Sequence, residues 1–212
     1  MKLALRLTDQ DWRVHEAKLD IEAPSKAWEI AFDDFYQARL YSRYFSPIAA
    51  IASSHDKLGE GFSIVAILMT LVEFLETTYT GQNFNPNRKK ATPYEYGLGQ
   101  STRIFVSFFL NRAPFSGSIT EASAAEIYSS VRCGLLHEAR TCGGWRIGVA
   151  KSEGCCPLRA IDPVGKIIFR DKFLEEMEAA VVALRTAMLA PDQAGKELRA
   201  AFVRKMDGIC QP

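Results

Sequence analysis

The sequence lacks an excess of charge of either sign. Its 26 lysines and arginines are matched by 25 aspartates and glutamates, so the formal charge is +1. A charge this small gives no overall attraction to nucleic acid, and any contact with RNA or DNA has to come from a local basic patch. Histidine is also scarce, with three in 212 residues, so each histidine is weighed separately as a candidate for acid–base chemistry.

Cysteines are few and irregularly spaced, and their odd number argues against a disulfide framework. A zinc site would have to draw on Cys133, His137, Cys142, Cys155 and Cys156. Their spacing matches no usual zinc finger, and two adjacent cysteines rarely ligate one ion. We therefore predict no metal and no other cofactor. The sequence also has no internal repeat, no low-complexity segment and no nucleophile elbow.

Signals for export or membrane insertion are also missing. The first residues turn polar too early for a signal peptide. The longest apolar stretch, GFSIVAILMTLVEFLE at 61–76, meets Glu73 too soon to span a bilayer. We expect a soluble cytoplasmic protein without a membrane partner.

Hydrophobic residues make up 48% of the chain, which is enough for one globular domain over residues 1–212. Residues 1–24 alternate between apolar and polar and predict an N-terminal extension, extended or folded as a hairpin. A helix is predicted from residue 25, with Ser25 as N-cap, an interruption at Pro47 and a short helix after it. Further helices are predicted from residue 61, with Gly81 as the stop, and from residues 98, 120 and 172, and a last amphipathic segment covers 197–206. Two β-like runs, Trp145–Val149 and Lys166–Phe169, predict a β-hairpin inserted at 144–170. The predicted fold is mostly α, a helical bundle with this small late hairpin.

The predicted helix at 120–140 carries an arginine and a histidine near its end. Arg132 and His137 are five residues apart, which on an ideal helix is about 140° around the axis and about 7.5 Å along it. Gly134 between them leaves room for a close approach to the backbone. Arginine can clamp a phosphate with two parallel bonds, and histidine can act as a general acid or base near neutral pH. This pair can therefore bind a phosphate and transfer a proton.

The stretch YSSVRCGLLHEART, residues 128–141, resembles the motif of HEPN domains, in which an arginine precedes a histidine by four to six residues near the end of a long helix. The resemblance covers roughly residues 60–190 and is specific only at these positions. It implies a HEPN-type bundle that dimerises across the motif helices, so that two copies of Arg132 and His137 form one composite ribonuclease site. It also implies an RNA substrate, a role as a toxin or in anti-phage defence, and an antitoxin or defence protein as partner. Many active members have a polar residue directly after the arginine, whereas this chain has Cys133.

Other residues are candidates for support of this site. Cys133 and Glu138 are neighbours of the motif residues. Glu73 lies in the most apolar helix, where a carboxylate needs a partner; either it orients Arg132 or its helix end emerges into water. The basic triplet of Arg88, Lys89 and Lys90 stands before two tyrosines, a combination that binds phosphates and stacks bases but also occurs in solvated loops.

The motif also has an alternative interpretation that is purely structural. In that case Arg132 pairs with a carboxylate, and His137 caps the last carbonyls of its helix. The chain would then be a non-catalytic module that uses the bundle to dimerise or to hold a partner in a defence complex. A ligand-sensing subunit is a third possibility. Exposure of the two side chains discriminates, because an enzyme needs them accessible and a module buries them.

Overall fold

The computed structural model describes residues 2–54, 58–87, 93–150 and 159–211. Seven helices in these residues make the fold mostly α, as predicted. The helices are α1 (Asp9–Glu16), α2 (26–52), α3 (Glu60–Thr80), α4 (Ser101–Asn111), α5 (121–138), α6 (Arg170–Met188) and α7 (Gln193–Cys210). The strands are β1 (Lys2–Ala4), β2 (Leu7–Thr8), β3 (Asn83–Phe84), β4 (Glu95–Tyr96), β5 (Arg146–Gly148), β6 (Ile161–Asp162) and β7 (Ile167–Phe169).

Contacts between residues divide the chain into two compact units. Unit 1 takes its residues from Met1–Pro47, Leu75–Gln100 and Val181–Pro212. Unit 2 takes its residues from Ile48–Phe74 and Ser101–Ala180. The motif helix α5 belongs to unit 2.

Unit 1 begins with the expected hairpin, in which β1 and β2 pair antiparallel, but the extension does not stay extended after it. Residues 9–16 form α1 because Thr8 and Asp11 make a capping box. The Thr8 hydroxyl accepts from the Asp11 amide at 3.3 Å, and the Asp11 carboxylate accepts from the Thr8 amide at 2.7 Å. Trp12 on the buried face of α1 donates from Nε1 to Asp207 at 2.9 Å.

The core of unit 1 is aromatic and centres on Phe202 of α7. Four rings lie with their centroids 5.2 to 6.4 Å from that of Phe202. They belong to Trp12, Trp28, Phe32 and Tyr36. Such ring pairs add stability beyond the area they bury.

Lysine 205 is buried beside this core. Its Nζ donates to the Thr77 hydroxyl at 2.8 Å and to the Gln82 carbonyl at 2.9 Å. Burial, together with the charge of Arg39, lowers the pKa of Lys205 to about 7. The amine therefore titrates near neutral pH in the folded protein.

The helical residues predicted after Pro47 are present up to Ala52, but Pro47 does not interrupt α2, contrary to the prediction. The segment directly before the proline, Tyr41–Phe45, is π-helical, and the Ser46 amide donates to the Tyr41 carbonyl five residues back. A proline ring clashes with the preceding turn of an ordinary α-helix, and the wider π turn gives the ring space.

Unit 2 has a core of phenylalanine side chains beneath α5. Neighbouring rings of Phe105, Phe108, Phe109 and Phe115 have centroids 5.0 to 5.6 Å apart. Tyr128 of α5 packs edge-on against Phe105 at 5.3 Å. This packing fixes the side of α5 that carries the motif arginine.

The late β element is a three-stranded sheet rather than a simple hairpin. The two predicted strands are present, but β5 and β7 pair parallel, and β6 pairs antiparallel with the other edge of β7. The tight turn lies between β6 and β7, where the Asp162 carboxylate accepts from the amides of Val164 and Gly165 at 3.0 Å each. Parallel pairing needs a long connection, and the chain between β5 and β7 is long enough to provide it.

Helix α3 is long and apolar enough to cross a membrane, with 21 residues and a mean hydropathy of 1.5 over its most apolar window. Within the protein, 61% of that window is buried, as in a core helix. Gly81, with φ of +68°, follows the helix end as predicted.

Candidate active site around Arg132

Helix α5 carries both residues of the motif, as the sequence predicted. It begins at Thr120, whose hydroxyl accepts from the Ser123 amide at 3.2 Å. It ends at Ala139, which has a left-handed backbone with φ of 53°. Arg132 lies in a π-helical segment, Tyr128–Cys133, and His137 lies in the last turn. Single π turns inside α-helices occur often at functional sites.

Gly134 is required by the chain's own return over the helix. After Ala139 the backbone turns back, and the Cys142 amide donates to the Ser130 carbonyl at 2.8 Å. A Cβ atom on Gly134 would lie 2.6 Å from the Arg140 carbonyl oxygen. The space that the glycine leaves is therefore occupied by residues 140–142.

Arg132 is held by a carboxylate from α3. Its Nη2 lies 2.8 Å from Oε1 of Glu73, and the two side chains are 19% and 11% exposed. Glu73 Oε1 and Arg132 Nε are both buried, and neither has a hydrogen-bond partner among the described residues. The contact is an ion pair by distance without a well-aligned hydrogen bond. Glu73 thus pairs with Arg132, as one of the two alternatives predicted. The other alternative, that this part of α3 emerges into water, is wrong, because Glu73 is buried.

Tyr128 supports the same guanidinium from another side. The Arg132 Cζ lies 5.3 Å from the centroid of the tyrosine ring, within the range of a cation–π contact. Tyr128 is not among the site residues predicted from the sequence, although its position four residues before Arg132 on a helix places it on the same face. Two contacts therefore fix where the guanidinium lies.

His137 differs from Arg132 in its surroundings. Its side chain is exposed and makes no hydrogen bond or ion pair with a described residue. It does not cap the helix carbonyls, as the structural alternative required. Glu138 beside it is exposed, and Cys133 is a half-buried free thiol. The basic triplet of residues 88–90 lies outside the described residues.

The arrangement offers one paired guanidinium and one unpartnered imidazole on the same helix end. In the described ranges, no group of three or more His, Cys, Asp or Glu side chains is placed to hold a metal ion. Phosphate binding by arginine and proton transfer by histidine are the reactions that these two side chains can support.

No protein-family model, no curated protein and no solved structure gives a significant match to this chain. A function for the protein therefore has to be argued from its own residues.

Proposed function

We propose that the protein is a metal-independent endoribonuclease with a HEPN-type bundle, in which Arg132 binds the scissile phosphate and His137 transfers protons. One observation carries the proposal. The guanidinium of Arg132 is fixed by Glu73 and Tyr128 at the end of α5, while His137 on the same helix end is exposed and has no partner among the described residues. A fixed cation and an accessible imidazole are the two kinds of side chain that phosphodiester cleavage without a metal needs.

The reaction is an attack of the ribose 2′-hydroxyl on the adjacent phosphorus. A histidine takes the hydroxyl proton, the bond from phosphorus to the 5′-oxygen breaks, and an acid protonates that oxygen. The products are a 2′,3′-cyclic phosphate and a free 5′-hydroxyl. Arg132 stabilises the negative charge that gathers on the phosphate oxygens in the transition state.

The reaction needs a base and an acid, and one chain offers a single suitable histidine among the described residues. His15 is buried, and its Nε2 lies 2.8 Å from the Ala27 carbonyl oxygen, which leaves it unable to reach a substrate. A second copy of the chain supplies the second His137. The proposed site is therefore composite and forms in a homodimer.

Glu73 positions the arginine without occupying it fully. A guanidinium has five N–H donors, and the contact with Glu73 uses the side of Nη2. In this proposal, donors of Nη1 and Nη2 that do not face Glu73 bind the scissile phosphodiester, which carries a single negative charge. Cys133, directly after Arg132, and Glu138, directly after His137, are the neighbours that complete the local environment.

The biological setting follows from the HEPN resemblance alone. A ribonuclease of this kind fits a cytoplasmic toxin or an anti-phage defence protein, restrained by an antitoxin or another partner protein. The basic triplet of Arg88, Lys89 and Lys90 is proposed to contact the RNA backbone.

The test is incubation of the purified protein with a mixed RNA pool, with and without EDTA. We expect cleavage in both conditions and cyclic phosphate ends. His137→Ala should lower the rate by about 10²–10⁴-fold, as expected for loss of a proton-transfer group. Glu121→Gln, a change at an exposed residue in the first turn of the same helix, is the matched control and should leave the rate within about threefold. Cleavage that EDTA abolishes and Mg²⁺ restores would contradict the mechanism.

A second candidate is a non-catalytic dimerisation or interaction module. The observation that favours it is the compensation of the Arg132 charge by Glu73 and the low exposure of the guanidinium. For a module, Arg132→Lys lowers stability and partner binding together. For the ribonuclease, the same change removes the planar two-bond fork and lowers turnover while RNA binding persists.

A further inference from the structure

A groove of about 710 Å³ lies in unit 1, and none of the residues used in the proposed RNA cleavage lines it. It is lined by the N-terminal hairpin, residues 2–7, and by four residues of α2. Those four are Asp34, Ala38, Ser42 and Arg43. The volume is in the range of sites that hold small molecules, which measure about 300–1,000 Å³.

The hairpin wall of the groove is anchored to α2. Nη1 of Arg39 donates to the Leu3 carbonyl at 2.8 Å, and Nη2 of Arg43 donates to the Lys2 carbonyl at 3.2 Å. The side chains of Leu3 and Ala4 are buried. These contacts hold the wall in place before any ligand arrives, which lowers the entropic cost of binding.

The charged residues that line the groove are mostly basic. The lining contains three cationic side chains, Lys2, Arg6 and Arg43, and one carboxylate, Asp34, and all four side chains are exposed. The groove therefore carries a net charge of two positive units, whereas the whole chain carries +1. The other hairpin residues that line it are leucine and alanine. An apolar channel with a cationic rim is complementary to a molecule with an anionic head and an apolar body.

Leu5 at the rim points to the same kind of ligand. Its side chain is 63% exposed, and its backbone has φ of 45°, a left-handed conformation that is rare for a bulky residue. The two-residue turn between β1 and β2 accounts for this φ, and it presents the leucine side chain to solvent. The apolar part of a ligand would cover this leucine.

We propose that the groove is a binding site for an anionic amphiphile, a small molecule with one negatively charged head group and a short unbranched apolar chain. Arg6, Arg43 and Lys2 hold the head, and Leu5 and Ala38 contact the chain. A carboxylate and a phosphate share the required chemistry, and the experiment distinguishes them.

The first experiment is isothermal titration calorimetry of the intact chain with decanoate, decyl phosphate and decyltrimethylammonium. At least one of the two anions is expected to bind with one-to-one stoichiometry, and the tighter of them identifies the head group. The cation should bind at least about tenfold more weakly. Absence of saturable binding by either anion, or equal binding by the cation, overturns the proposal.

Variants locate the site. Ala38→Leu fills the groove, and the double change Lys2→Gln with Arg6→Gln removes two of its three cations without removing the hydrogen bonds that anchor the hairpin. Each should weaken anion binding by at least about tenfold. Arg13→Gln is the matched control, since Arg13 is exposed on α1 and does not line the groove. Unchanged affinity in both groove variants contradicts the assignment.

A measurement on the unaltered chain keeps the proposal testable if a variant fails to fold. The methyl resonances of Leu5, assigned by NMR, should shift when decanoate or decyl phosphate is added. Leu58, which is exposed in unit 2, provides the internal reference and should not shift. Methyl resonances of Leu5 that stay in place at saturating anion overturn the site.

Discussion

Neutralising Glu73 should expose how strongly the motif arginine depends on its partner. Removal of one member of a buried ion pair costs about 3–5 kcal/mol, because the other charge is left buried and unpaired. The pair of Glu73 and Arg132 is 11% and 19% exposed, and its contact lacks a well-aligned hydrogen bond, so we expect a smaller effect. Glu73→Gln and Arg132→Met should each lower the free energy of unfolding by about 2–3 kcal/mol.

The assay is urea denaturation of the two single variants and the double variant. Each single variant leaves one buried charge alone, whereas the double variant leaves none, so the coupling energy should be about 2 kcal/mol. Glu175→Gln is the control, because its ion pair with Lys172 spans 3.2 Å in solvent and should contribute less than about 0.5 kcal/mol. A coupling energy below about 0.5 kcal/mol would refute the idea that Glu73 fixes Arg132.

Two further predictions concern the frame around the site and the buried lysine. Gly134→Ala places a Cβ atom 2.6 Å from the Arg140 carbonyl oxygen. It should therefore lower the free energy of unfolding by about 1–3 kcal/mol, measured by urea denaturation, and it should lower RNA cleavage. Ala125→Gly, on the same helix, is the control and should leave cleavage unchanged. Lys205 has a pKa of about 7 when folded and 10.5 when unfolded, so the unfolded chain binds the extra proton between these values and stability rises with pH across that window. Between pH 7 and about pH 9.5 the rise should reach about 3 kcal/mol, and Lys205→Met should remove it; an unchanged pH dependence in that variant would contradict the burial of the charge.

The sequence predicted the motif helix well because its determinants are local. The Thr120 cap, the apolar periodicity and the position of Arg132 and His137 all lie within one continuous stretch. Glu73 was predicted as a possible partner of Arg132 for a different reason, because a carboxylate in an apolar helix is costly to bury without a partner. Tyr128 was missed even though it is a local neighbour, because helical spacing alone does not show which neighbour a long arginine side chain contacts.

The remaining differences arise from contacts that are distant in sequence. The parallel pairing of β5 with β7 depends on how the connecting chain returns, and a local pattern of apolar residues does not encode it. Charged residues of an amphipathic helix are expected at the surface. Lys205 is nevertheless buried, and its amine donates hydrogen bonds to Thr77 and Gln82, which are distant in sequence. The helix at 9–16 is short enough that its pattern also fitted a strand, and only the capping box of Thr8 and Asp11 decides between them.

The central claim is that two copies of His137 act in one site, and a mixed-subunit titration tests it most directly. Wild-type protein is mixed with His137→Ala protein, subunits are allowed to exchange fully, and RNA cleavage is measured in EDTA. If only dimers with two histidines are active, an equal mixture retains about a quarter of the wild-type activity at the same total concentration. Retention of about half would show that each chain acts alone, and an absence of cleavage by the wild-type dimer would contradict the ribonuclease itself.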